Sequence, residues 1–189
     1  MASLQGTSAP GRRAGAPTET ADIRLMRAAL LFAVAVLVHN SDHLRRGVDT
    51  LSPDVFWVGT AGILLEVGLV ILICQRHRLA PIASAIGGLT LAGGYIEVHF
   101  LPAHAWLSDS FTSASSFSAL SWMAASLEIA AALTLATVGL TALRSRGEVE
   151  SATRPHGAQG SLREGLLHPL ALGFVLSQLM LLIVAFVQR

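Results

Sequence analysis

No lysine occurs in this chain: all thirteen basic residues among its 189 are arginine, which reflects a GC-rich coding bias rather than a mechanism. Cysteine is almost missing as well. The one thiol, Cys74, excludes an intramolecular disulfide and any cysteine-rich zinc or iron–sulfur site. Charge of either sign is scarce, 13% of residues against roughly 25% in soluble domains, and the net charge of +1 gives no broad field to recruit nucleic acid. GxSxG, Walker and dinucleotide-binding patterns do not occur. A single histidine-rich string is too few for a membrane di-iron desaturase, and no Glu-x-x-His motif of the ferritin-like bundles is present.

What the chain has instead is apolar length. Hydrophobic residues make up 52%, with a mean hydropathy of +0.59. Five apolar runs, at about 25–44, 55–75, 79–101, 117–143 and 168–187, each reach the roughly 20 residues a helix needs to cross a bilayer. Backbone groups cannot go unpaired in lipid, so runs of this kind mean helices. The expected fold is all-α: a polytopic membrane protein with an antiparallel four-helix bundle and a peripheral fifth helix that contributes nothing to a site. Residues 1–20, rich in Pro, Gly and Ala, read as a disordered cytoplasmic tail, and 21–189 as one transmembrane domain.

Sidedness follows from the arginines. Ten of them precede the first span or lie in the second–third and fourth–fifth connections, against three, Arg45, Arg46 and Arg189, on the other side. The positive-inside rule then puts the amino terminus in the cytoplasm and the carboxyl terminus outside, in the cell membrane. Trp57, Trp106 and Trp122 fall towards the outer side, as an interfacial aromatic belt should. The connection from 102 to 116 reads as an irregular outer cap and that from 144 to 167 as a flexible linker.

The first run ends in His39-Asn40-Ser41-Asp42-His43-Leu44-Arg45-Arg46. On a helix His39, Asp42 and His43 share one face. Three carboxylates, Glu66, Glu97 and Glu128, lie within the second, third and fourth runs. Each costs about 2.5–3.5 kcal/mol to insert, so each is expected to face the bundle interior with a partner. Small residues share their helical faces: Gly59 and Gly62 with Glu66, Thr90, Gly93 and Gly94 with Glu97, and Ser121, Ala124, Ala125, Ala131 and Ala132 with Glu128.

Histidine and carboxylate at this density suit a divalent transition metal such as Zn²⁺, Ni²⁺ or Fe²⁺. The expected metal set is His39, Asp42, His43 and Glu97, with Glu66 and Glu128 lower in the site and His99 and His104 as further candidates. Haem between the two pairs of histidines is the less favoured cofactor. The string ending in Asp42-His43-Leu44 resembles the metal signature of nickel/cobalt permeases, in which a histidine is followed four residues later by an Asp-His pair, whereas only two residues separate His39 from Asp42-His43 here; the resemblance implies a cluster able to bind a divalent ion.

Three functions are compatible with these residues. Binding or transport of a divalent metal is the first. The second is an intramembrane enzyme doing acid–base chemistry on a lipophilic substrate, which requires an apolar, lipid-open cavity of about 300–1,000 Å³ beside the carboxylates. The third is an accessory subunit whose polar groups pin helices, with a membrane-protein partner or a second copy docked on the alanine-rich fourth span.

Overall fold

The computed structural model describes residues 16–102, 107–112, 117–150 and 168–188. Five helices follow in order: α1 (Ala16–Arg46), α2 (Pro53–Cys74), α3 (Ala80–Tyr95), α4 (Ala119–Glu150) and α5 (Pro169–Gln188). A 3₁₀ turn, Val48–Thr50, joins α1 to α2, and α3 runs on into a π-helical turn, Ile96–Phe100. No strand occurs among the described residues. Each expected apolar run coincides with one helix. Two of them, Pro53–Cys74 and Ala119–Ser145, are long and apolar enough to cross a membrane.

Local sequence explains the boundaries. Gly47, at φ +91°, supplies the left-handed residue that ends α1 and turns the chain, and a side chain there would collide with Asp49. Ser52 caps α2 by accepting a hydrogen bond from the Val55 amide, with Pro53 at the first helical position. Two boundaries differ from expectation. α1 begins at Ala16, within the stretch read as tail, and α4 continues to Glu150, into the stretch read as linker. In both places helix-forming Ala, Glu and Arg extend the helix beyond its apolar segment. Residues 1–15 and 151–167 lie outside the described residues.

α4 packs most extensively, lying antiparallel to both α1 and α3. Its small residues make that possible. Ala124, Ala125, Ala131, Ala132 and Ala136 are all buried. A Cβ on Gly88 of α3 would lie 2.5 Å from the Ala132 carbonyl, and one on Gly139 of α4 would lie 2.6 Å from the Pro81 carbonyl. The two backbones therefore touch, as small-residue membrane interfaces allow. The main core, which includes Phe32, Val36, Val70 and Leu135, fills the bundle between α1, α2 and α4.

The fifth helix is less peripheral than expected. It packs against α1 and α2, and Gln178, 1% exposed, accepts a hydrogen bond from Asn40 at 3.1 Å. A polar pair in an apolar interface pulls the helix in, because neither amide has water to bond instead. Large apolar side chains meanwhile cover the outside of every helix, among them Leu30, Leu64, Ile86, Met123 and Met180.

Candidate metal centre

Two turns of α1 and the end of α3 build the site. His39 and His43, one turn apart, face each other with their Nε2 atoms 2.8 Å apart. His99 completes a group of three whose donor nitrogens all lie within 4.8 Å of one another. The His39 and His99 rings stand 4.8 Å apart and those of His43 and His99 5.6 Å. His39 and His99 are 5% and 3% exposed.

The π turn puts His99 there. Its Leu101 amide donates to the Ile96 carbonyl, five residues back, so the turn carries one more residue than an α-helical one. Sequence spacing on a regular helix turns His99 away from Glu97 and selects one of the two. His99 is the one that faces inward. Glu97 is exposed, as are Thr90, Gly93 and Gly94 on the same stripe, so this face of α3 makes no close helix contact. The buried stripe of α3 runs instead through Ser84, Gly88, Leu91 and Ala92 towards His99.

Other expected residues are placed as follows. Asp42 is buried but bound to arginine: Arg45 donates to it at 2.7 Å and Arg46 at 3.2 Å. Glu128 is 1% exposed, and its Oε2 is 3.1 Å from His39 Nδ1, though off the ring direction, so neither atom has a properly aligned hydrogen bond. Glu66, 3% exposed, accepts a hydrogen bond from the Tyr95 hydroxyl and leaves its own Oε2 without a partner. Tyr95 is also close enough to Glu128 to interact with it. His104 lies outside the described residues.

Asp109 had no signal. It stands in the irregular segment after α3, where neither apolar period nor spacing marks it. Yet Arg46 donates to it at 2.7 Å, and its carboxylate is 3.5 Å from His99 Nδ1 and 3.9 Å from His43 Nδ1. Arg46 also donates to His43 Nδ1 at 2.8 Å and lies 5.0 Å over the Phe117 ring. Arg45 reaches Ser118, just before α4, and Ser121 in its first turn. The arginine pair thus knits the mouth of the site together.

These contacts assign the ring protons. An arginine can only donate, so His43 Nδ1 is bare and its proton is on Nε2. That proton is donated to His39 Nε2, which puts the His39 proton on Nδ1, beside Glu128. His39 and His99 thus have a carboxylate, Glu128 or Asp109, beside Nδ1, the arrangement by which carboxylates orient and strengthen metal-ligating histidines, whereas His43 Nδ1 is held by Arg46. Two ligands of a tetrahedral ion with bonds of about 2.0–2.1 Å stand roughly 3.3 Å apart, so the 2.8 Å pair must open by about half an ångström to admit one.

A cavity of about 430 Å³ adjoins the three histidines. Glu66, Glu97, Glu128 and Tyr95 line its polar side, Glu97 at the exposed edge, and Val55, Phe56, Leu91 and Leu182 are among its apolar walls. Exposed small residues line it on both sides of the α2–α3 gap, Gly59 and Ala61 facing Thr90 and Gly94, so the wall is thinnest there.

The fold and site together define an all-helical protein with apolar helices long enough for a membrane and a three-histidine cluster able to hold a metal ion. No family model, curated protein or solved structure matches the chain.

Proposed function

We propose that this is a multi-pass membrane protein carrying one divalent transition metal, of the zinc type, as a resident centre on His39, His43 and His99, with the amino terminus cytoplasmic. The observation that carries the reading is the convergence of three histidines, His39 and His99 buried and His43 half-buried, with the Glu128 and Asp109 carboxylates beside the second nitrogens of His39 and His99. Apolar side chains over the outer surface of all five helices support the membrane part, since a soluble protein exposes no such continuous apolar surface.

Three protein ligands leave a fourth position for water or substrate, the pattern of catalytic rather than structural zinc. Two observations favour a resident ion over a transported one. The cavity meets the histidines from the side. Beyond them, Phe32, Val36, Val70 and Leu135 are fully buried, and such a core offers a permeating cation no ligands. Acid–base work on a lipophilic molecule is therefore the favoured use of the centre, with Glu66, Tyr95 and Glu128 as the proton-handling groups.

Metal loading also has a defined cost in protons. His43 gives its Nε2 lone pair to the ion only when its proton moves to Nδ1. There Arg46 no longer finds an acceptor, and Asp109 becomes the partner.

The test is metal analysis of protein purified from carbonate-washed membranes, with cobalt(II) substitution. About one metal per chain, a tetrahedral cobalt spectrum, and loss of both in the His39→Ala/His43→Ala variant are expected. Wild-type protein that stays metal-free after exposure to zinc and cobalt overturns the proposal.

A further inference from the structure

The cavity beside the histidines has features that a bare metal site does not require. It extends along α2 from Val55 to Glu66, eleven residues, or about 16 Å of helix, so it is elongated. Its volume is within the range of small-molecule pockets. Glycine lines it where a larger residue would fit: a Cβ on Gly59, Gly62 or Gly94 would meet nothing within 4 Å. At its far end along α2 stands Glu66, whose Oε2 is buried without a hydrogen-bond partner while Oε1 is held by Tyr95.

A buried carboxylate oxygen without a donor is costly, about 1–3 kcal/mol or more for a charged group, so such an atom calls for a partner. The cavity is the side from which a donor can arrive. Charge decides which donor. An ammonium head would share the cavity with the proposed metal cation on the histidines that line it, and it has no lone pair to offer that ion. A carboxylate head would add a fourth acidic group to Glu66, Glu97 and Glu128. A neutral hydroxyl avoids both repulsions and can donate to Glu66.

The geometry points to a lipophilic alcohol as the ligand of this cavity, its hydroxyl donating to Glu66 Oε2 and its hydrocarbon body lying along α2, with entry from the bilayer between α2 and α3. The choice of a neutral head rests in part on the metal reading; the apolar body and the donor do not.

Dodecanol and dodecyl methyl ether are the probes, the second having the same body and no donor. Binding is measured by native mass spectrometry of nanodisc-embedded full-length protein, zinc-loaded and zinc-stripped, with metal content measured on the same samples. Wild type should hold the alcohol at least about tenfold more tightly than the ether, the factor that about 1.4 kcal/mol, the upper part of the range for an ordinary hydrogen bond, supplies. Glu66→Gln keeps the acceptor for Tyr95 and turns an amide donor to the ligand, so the preference should fall or reverse in favour of the ether. Gly62→Leu fills the open space and should weaken both probes while leaving zinc bound.

Equal binding of alcohol and ether to wild type, or an unchanged preference in Glu66→Gln, overturns the inference. A protein that cannot be loaded with zinc and still prefers the alcohol overturns the metal reading and leaves this one standing. A zinc-loaded protein with no such preference does the reverse.

Discussion

The two ends of the bundle are held by different physics. At one end, α3 and α4 meet backbone to backbone across Gly88, Ala132, Gly139 and Pro81, and the interior is alanine, leucine and valine. At the other, α2 stands off from α3 beside a cavity, and the contacts are hydrogen bonds and ion pairs among His39, His43, Arg46, Asp42, Asp109 and Glu128. Close packing fixes a helix pair without any polar group, so the polar end is not needed to hold α1, α3 and α4 together. What it adds is specific chemistry, and the rigid end serves as the frame on which the ligands are aimed.

The largest expected effect of a single substitution belongs to the polar end. His99→Ala should lower zinc affinity more than about a hundredfold, beyond the 10–100-fold seen when an orienting partner is lost, while thermal unfolding of the metal-free protein changes little. Retention of wild-type affinity on competition with a chelator would mean that His99 is not a ligand. At the packed end, Gly88→Val should cost about 1–3 kcal/mol of stability by driving a side chain into the α4 backbone, with zinc affinity of the folded fraction unchanged. An unfolding midpoint equal to wild type would show that the α3–α4 contact is looser than described.

Smaller effects should separate the groups around the histidines. Glu128→Gln removes the charge beside His39 and should weaken zinc about tenfold, readable in the same chelator competition; an unchanged constant would deprive Glu128 of its orienting role. Glu97→Gln should alter metal affinity by no more than about twofold, as expected of an exposed position. A large loss there would favour Glu97 as a ligand after all and place the inward face of α3 elsewhere.

Much of this arrangement was legible in the residues, and the parts that were not share a cause. Apolar runs announce helices because length and hydropathy are local properties, and each run coincides with one helix. The small-residue stripe around Glu128 was legible because α4 is a regular helix, on which spacing converts directly into direction. Around Glu97 the same conversion fails. A π turn follows Tyr95, nothing in Ile96-Glu97-Val98-His99 announces it, and the face carrying Glu97 and Gly94 is exposed and borders the cavity instead of packing on a helix. Asp109 was illegible for a different reason: it is 63 residues from Arg46 and lies in a segment with no period from which to predict a direction. Gln178, by contrast, carries a signal in the sequence. A buried amide in an apolar span needs a partner for the same reason an intramembrane glutamate does, and Asn40 is its counterpart on α1.

The π turn at Ile96–Phe100 has a consequence for ancestry as well as geometry. An extra residue in a helix advances everything after it by roughly 100° about the axis, since 3.6 residues complete a turn. Loss of one residue between Tyr95 and His99 would therefore swing that imidazole out of the group and leave a bare pair, His39 and His43, on α1. Whether this chain offers two nitrogen donors or three is thus decided by a length change of a single codon rather than by substitution of any ligand, so a two-histidine form and a three-histidine form of the same bundle stand one insertion apart.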